Sequence, residues 1–121
     1  MSEKELRGST RKDSLNLLDY VVLDESGEEM NRAMARTLNV STKGILLETH
    51  VPFDIGQNLE ITLGLENDLV EVRGRVVRCE SGTHEGYHSG VEFLEIGPSE
   101  MVTLQKFLTA FNEKQQGSGW L

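Results

Sequence analysis

Six short segments with strand character, followed by one segment with helical periodicity, constrain the fold of this chain more than any other feature. The strand-like segments span residues 14–23, 30–38, 44–49, 58–65, 69–80 and 86–96. The alternation is clearest where Leu59, Ile61 and Leu63 are separated by polar residues, as in a strand with one buried face. The segment at 30–38 is rich in good helix formers, but its alternation favours a strand. Turn-forming residues with glycine or proline separate most of the segments.

The period changes after Pro98. Apolar side chains then recur at steps of three and four residues, at Met101, Leu104, Leu108 and Phe111. This spacing predicts an amphipathic helix over residues 98–114, with Ser99 as its capping residue and Glu100 in its first turn. We therefore predict a mainly β fold, a six-stranded antiparallel barrel over residues 14–97 with the helix laid against it. Residues 1–13 are interpreted as a flexible polar arm and residues 115–121 as a tail, within a single domain.

Composition excludes several classes of protein. The 121 residues carry a formal charge of −8 and include seven aromatic side chains, two Tyr, four Phe and one Trp. That charge disfavours nucleic acid and anionic membranes, and so few aromatics leave little for stacking on bases once a core is filled. The one cysteine, Cys79, permits no internal disulfide, and no apolar run is long enough to span a bilayer. The N-terminus does not resemble a secretory signal, so we expect a cytoplasmic protein.

The charge is unevenly distributed along the chain. Four basic and two acidic side chains give residues 1–12 a charge of +2, so the remaining 109 residues carry −10. The basic residues of this arm are Lys4, Arg7, Arg11 and Lys12. A basic arm on an acidic body indicates either a local anion site or a solvated terminus.

Two motifs carry the functional prediction. The first is RGSTR, in which Arg7 and Arg11 are separated by three small residues. Arginine forms forked hydrogen bonds to phosphate oxygens and to the guanine O6/N7 edge, and it stacks on bases. The second is NVSTKG, in which Asn39, Ser41 and Gly44 offer an amide, a hydroxyl and bare backbone at a turn. The alternative for this motif is an ordinary turn in which the polar side chains bond their own backbone and the glycine has positive φ.

The motifs R-x-x-x-R and [D/N]-x-S-x-x-G, in this order, resemble those of the PilZ domain family. The later strings VRGRVV (72–77) and SGVEF (89–93) are similar to that family's later strands. The resemblance implies a six-stranded barrel with a C-terminal helix, and a receptor for cyclic di-GMP that is not an enzyme. It implies that Arg7 and Arg11 grip the ligand, that Asn39 and Ser41 contact a guanine edge, and that Gly44 keeps space for the base.

Further consequences concern individual positions. Lys12 and Arg78 are candidate additional phosphate partners. The family often has Asp where this chain has Asn39, which offers only a carbonyl oxygen to the donors of guanine. Leu6 stands where an arginine in PilZ domains favours a stacked ligand dimer, so the resemblance implies one ligand molecule per chain. The alternative for Leu6 is a hydrophobic anchor for the arm. With no output domain, the signal is expected to pass to an unidentified effector protein. The competing interpretation is a PilZ-like interaction module with weak or no cyclic di-GMP binding.

One formal motif is rejected. Residues 84–88 read HEGYH, which matches the H-E-x-x-H signature of zinc proteases. That chemistry needs a helix, but glycines surround the string and a strand pattern follows it. In a strand, His84 and His88 would lie about 13 Å apart at roughly 3.3 Å per residue, too far to share a metal ion. No nucleophile elbow, P-loop or dinucleotide-binding fingerprint is present, so we expect no cofactor and no metal.

Overall fold

The computed structural model describes residues 17–65, 68–82 and 86–119. Their elements are, in chain order, β1 (Leu17–Leu23), β2 (Glu29–Val40), β3 (Gly44–Thr49), β4 (Asn58–Leu65), β5 (Asp68–Ser81), β6 (Tyr87–Phe93) and α1 (Pro98–Gly119). Each predicted strand is found, with bounds that differ by a few residues. The strand expected over 30–38 extends from 29 to 40, and the one expected over 86–96 ends at Phe93.

The six strands form a closed barrel in the order β1-β2-β3-β6-β5-β4, with β1 also pairing with β4. Every neighbouring pair is antiparallel. The inward faces follow from the sequence alternation, since Leu59, Ile61 and Leu63 of β4 are almost completely buried. Tyr20 of β1 contacts Phe53 edge to face at 5.3 Å between ring centroids, and burial raises the pKa of its phenol. The predicted six-stranded antiparallel barrel is confirmed.

The helix α1 packs on β4 and β5 with its apolar stripe. Leu104, Phe107 and Phe111 are buried in the same cluster as the barrel residues, and the two phenylalanine rings stack 6.1 Å apart. The core is therefore continuous between the barrel interior and the helix. None of the helices in the described ranges is long and apolar enough to cross a membrane.

The helix start differs from the prediction. The first intrahelical bond runs from Met101 N–H to the Gly97 carbonyl, so Gly97 is the capping residue and Pro98 occupies the first helical position. The Ser99 hydroxyl lies 3.3 Å from a Glu100 carboxylate oxygen, to which it donates. Proline is well suited to that first position because it has fixed φ and no N–H to leave unpaired. At its other end the helix continues to Gly119, beyond the expected end at residue 114.

Candidate functional site

A β-bulge in β2 turns Asn39 to the outside of the barrel. The register of β2 against β3 shifts between Thr37 and Asn39. Before the shift, Ala35 and Thr37 point inward and are buried, while after it Val40 is buried and Asn39 is exposed. Without the extra residue, Asn39 would share the inward face of Ala35 and Thr37, because side chains alternate with a period of two.

A second bulge, in β5, turns Arg78 to the outside of the barrel. The register of β5 against β6 shifts between Val76 and Arg78. Alternate residues up to Val76 are buried, whereas beyond the shift Arg78 is exposed and Cys79 is partly buried. The chain therefore uses two bulges, on strands that are not neighbours, to aim two polar side chains outward.

The two reoriented side chains lie in one row across four strands. Asn39 pairs with Leu46, Leu46 with Gly90, and Gly90 with Arg78. A surface depression of about 240 Å³ covers this row. It is lined by Asn39, Val40, Ser41, Gly44, Ile45, Leu46, Val77, Arg78, Gly90, Val91 and Glu92. The depression thus brings together four residues predicted from the sequence, on strands far apart along the chain.

The turn between β2 and β3 is built by Ser41. Its hydroxyl oxygen accepts bonds from Lys43 N–H at 3.1 Å and Gly44 N–H at 3.3 Å. Its own N–H donates to the Gly44 carbonyl at 2.9 Å. These bonds fix the turn, which is the structural role the sequence left open for Ser41.

Asn39 is held by a local bond at the edge of the depression. Its Oδ1 accepts the Val40 N–H at 2.9 Å. A carbonyl oxygen has two acceptor positions and the amide nitrogen has two donors. Within the described part of the chain, one acceptor position and both donors of this amide have no other partner.

Gly44 is required by close backbone packing. A Cβ at this position would lie 2.5 Å from the Val91 carbonyl oxygen on β6. The positive φ expected in an ordinary turn is found at Gly27 and Gly56 and not at Gly44. The glycine of the motif therefore permits β3 to approach β6, and that expectation about its φ is wrong.

Arg78 extends over bare backbone. Its Nε and one terminal nitrogen lie 3.8 and 3.9 Å from the place that a Cβ of Gly90 would take. The Nε is also 3.8 Å from a carboxylate oxygen of Glu80, and both side chains are more than half exposed. Arg78 is thus a solvent-accessible cation within the depression.

A second polar row lies further along the same strands, two residues away on β3, β6 and β5 and three residues away on β2, where the bulge adds one. Arg36 lies 3.3 Å from Glu48, and the His88 ring lies 3.3 Å from the other oxygen of that carboxylate. His88 belongs to strand β6, as the rejection of the zinc motif requires, while His84 and Glu85 are outside the described residues. Among the residues described, no three His, Cys, Asp or Glu side chains are grouped to hold a metal ion.

The structure thus places Asn39, Ser41, Gly44 and Arg78 together, whereas Arg7, Arg11 and Lys12 lie outside the described residues. Sequence reasoning missed the contributions of Leu46, Val77 and Glu92 to the same depression. The sequence does contain an indication for Val77. From Val70 to Val76 the apolar residues of β5 occupy even-numbered positions, whereas Val77 and Cys79 occupy odd-numbered ones. Such a change of phase within a strand indicates a bulge.

The fold and this site define a β-barrel module with a partly polar depression on its outer wall. The family model of the PilZ domain matches residues 5–110. The chain belongs to the PilZ domain family.

Solved structures show the same fold. The PilZ domain of YcgR from Escherichia coli, solved with cyclic di-GMP, is 12% identical with a TM-score of 0.58, covering 87% of this chain and 89% of that one. The PilZ domain of CeSA from a cellulose-synthesizing bacterium is 11% identical with a TM-score of 0.58, covering 79% and 93%. The complex of K. pneumonia MrkH with cyclic di-GMP is 12% identical with a TM-score of 0.60, covering 84% and 48%. This chain therefore spans about half the length of MrkH. No curated protein matches the sequence significantly.

Proposed function

We propose that this protein is a receptor for cyclic di-GMP that binds the dinucleotide without converting it and signals to a partner protein. The observation that carries the proposal is the single depression that contains Asn39, Ser41, Gly44 and Arg78. Two relatives by fold, YcgR and MrkH, were solved with this ligand. PilZ domains are ligand-binding adaptor modules, and we place this one in the cytoplasm.

The chemistry of the described residues suits a guanine nucleotide. Arg78 can form forked bonds with a phosphate or with the O6/N7 edge of guanine. Among the described residues, two donors and one acceptor position of the Asn39 amide have no partner, so it can bond the polar edge of a base. Leu46 and Val77 supply apolar surface between these polar groups, and Val77 is half exposed.

The depression needs further groups to enclose a dinucleotide. Its volume of about 240 Å³ is below the roughly 300–1,000 Å³ that is usual for sites of drug-sized ligands. We propose that Arg7 and Arg11, with Lys12, supply the missing cationic groups.

The pairing of β1 with β2 is compatible with a contribution from Arg11 to the depression. The first described residue of β1, Leu17, pairs with Arg36, which is three residues before Asn39 on β2. Arg11 precedes Leu17 by six residues, a segment that can span about 20 Å at most when extended.

Signal transfer would follow from this arrangement. If residues 1–13 fold over the ligand, the surface beside β2 changes when the ligand binds, and an effector protein can distinguish the two states. The proposal includes no contact with DNA or RNA and no insertion into a membrane.

One observation favours a second candidate, a PilZ-like interaction module with weak or no ligand binding. Ser41 and Asn39 already satisfy local backbone groups in the absence of ligand. The turn motif is therefore explained in part by the needs of the fold alone.

Calorimetric titration tests the proposal. The full-length chain should bind cyclic di-GMP, with no comparable binding of GTP or single-stranded DNA, and Leu6 leads us to expect one ligand per chain. Replacing Arg7 or Arg11 with Ala should each weaken binding by about 2 kcal/mol or more, because each removes a charge-assisted hydrogen bond. Arg32→Ala is the control, since Arg32 pairs with Glu29 at 3.4 Å on the exposed part of β2. Unchanged affinity in both arm variants would contradict the assignment, and wild-type protein that binds no cyclic di-GMP would favour the interaction module.

A further inference from the structure

We propose that Glu80 is a positioning residue that competes with the anionic ligand for Arg78 and so sets the affinity of the site. The inference rests on the proposed function and assigns a regulator of the same site. It starts from the ion pair between the Nε of Arg78 and a carboxylate oxygen of Glu80, which are 3.8 Å apart.

The positions of Arg78 and Glu80 on β5 bring the two side chains together. Arg78 and Glu80 are two residues apart on one strand beyond the bulge, so both side chains project from the outer face. Arg78 pairs with Gly90, whose missing side chain leaves its guanidinium room to move over the backbone. Glu80 pairs with His88 in the next row, away from the depression. The guanidinium lies over Gly90 with its Nε 3.8 Å from Glu80, so the carboxylate and a ligand in the depression compete for the same cation.

A ligand can replace Glu80 as the partner of Arg78. The side chains of Arg78 and Glu80 are 63% and 67% exposed, and exposed ion pairs of this kind contribute little to stability. A phosphate or a guanine edge offers Arg78 two parallel bonds, whereas the separation from Glu80 is too long for a good hydrogen bond. A ligand can therefore displace Glu80, but it must overcome the attraction that Glu80 exerts.

Other carboxylates near the site are engaged elsewhere. Glu92 lines the depression but lies 3.7 Å from Arg75, and Glu48 in the second row contacts both Arg36 and His88. Among the described residues, Glu80 is the only carboxylate that forms an ion pair with Arg78. Its charge is thus the one whose removal should free the arginine.

The test is calorimetric titration of full-length protein with cyclic di-GMP at low salt. Glu80→Gln should lower the Kd about two- to fivefold, the range that corresponds to an exposed ion pair. Glu60→Gln is the matched control, because it removes the same charge from a pair with Arg73, 3.9 Å apart on the β4–β5 surface. This control should lower the Kd less than Glu80→Gln does, because it removes the same charge without removing a partner of Arg78.

A double-variant cycle separates competition from a structural effect. In the Arg78→Ala background, Glu80→Gln should bring no gain, because the competed group is gone. The gain in the single variant should also shrink as salt is added. An unchanged or raised Kd in Glu80→Gln, an equal gain in affinity in Glu60→Gln, or a gain in affinity that persists without Arg78 would each overturn the inference.

Wild-type protein that fails to bind cyclic di-GMP contradicts the proposed function. In that case binding gained by Glu80→Gln would support the competition, and no binding in either protein would refute it.

Discussion

Two glycines on the outer wall of the barrel have different physical reasons to be glycine. At Gly44, an added Cβ would lie 2.5 Å from the Val91 carbonyl oxygen, a distance that neither strand can accommodate without moving. At Gly90, the nearest atom to an added Cβ would be the Arg78 Cβ at 3.7 Å, which is ordinary van der Waals contact. The first glycine therefore serves the pairing of β3 with β6, and the second leaves space beside the Arg78 side chain.

We predict that Gly44→Ala lowers the free energy of unfolding by about 1–3 kcal/mol, the usual cost of overpacking. Gly90→Ala should change it by less than about 1 kcal/mol, because strands tolerate alanine where space exists. Unfolding in guanidinium chloride, followed by circular dichroism, measures both values. Equal stability of the Gly44→Ala variant and the wild type would show that this glycine is not needed for strand approach.

At the scale of elements, the bulges and the helix have separate tasks. The bulges in β2 and β5 change which face a side chain occupies, and they lie directly before Asn39 and Arg78. The helix α1 instead completes the core, because Leu104, Phe107 and Phe111 are at most 1% exposed. Strands β2 and β5 therefore determine the geometry of the site, whereas α1 contributes mainly to the stability of the fold.

We predict that Leu104→Ala lowers the free energy of unfolding by about 2–5 kcal/mol, since it removes buried methyl groups and leaves a cavity. Val102→Ala is the matched control on the same helix. Its side chain is 54% exposed, so the change should stay within about 0.5 kcal/mol. Thermal and denaturant unfolding give both values. If the two variants lost equal stability, the orientation of α1 against β4 and β5 would be wrong.

For the whole molecule, the order of the strands in the barrel is what assembles the site. Asn39 and Arg78 belong to β2 and β5, which do not pair with each other, and β3 and β6 join them into one row. The two bulges turn the outer wall at this row into a polar surface. No single segment of the sequence contains the site.

The sequence predicted the strands and the helix because alternation and helical periodicity reflect burial directly. The PilZ resemblance also predicted that Asn39, Ser41 and Gly44 belong to one ligand site, and Arg78 was a candidate additional phosphate partner. The structure places these four residues in one depression, and their binding of a ligand stays a prediction. The packing role of Gly44 was not predictable, because it depends on the register of β3 against β6. A register that shifts by one residue within a strand is set by tertiary packing, and propensity does not encode it. Ser99 was a reasonable choice of cap, but the backbone geometry of Gly97 and Pro98 determined where the helix begins.

The central claim is that cyclic di-GMP binds across the row from Asn39 to Arg78, and two-dimensional NMR of the 15N-labelled protein tests it most directly. On addition of cyclic di-GMP, the backbone amide signals of Lys43, Gly44, Arg78 and Gly90 should move or broaden. The signals of the β1–β2 turn around Gly27, at the opposite end of the barrel, should stay unchanged. Shifts confined to other surfaces, such as the groove between α1 and β5 that Glu71 and Thr103 line, or no shifts at ligand saturation, would contradict the account.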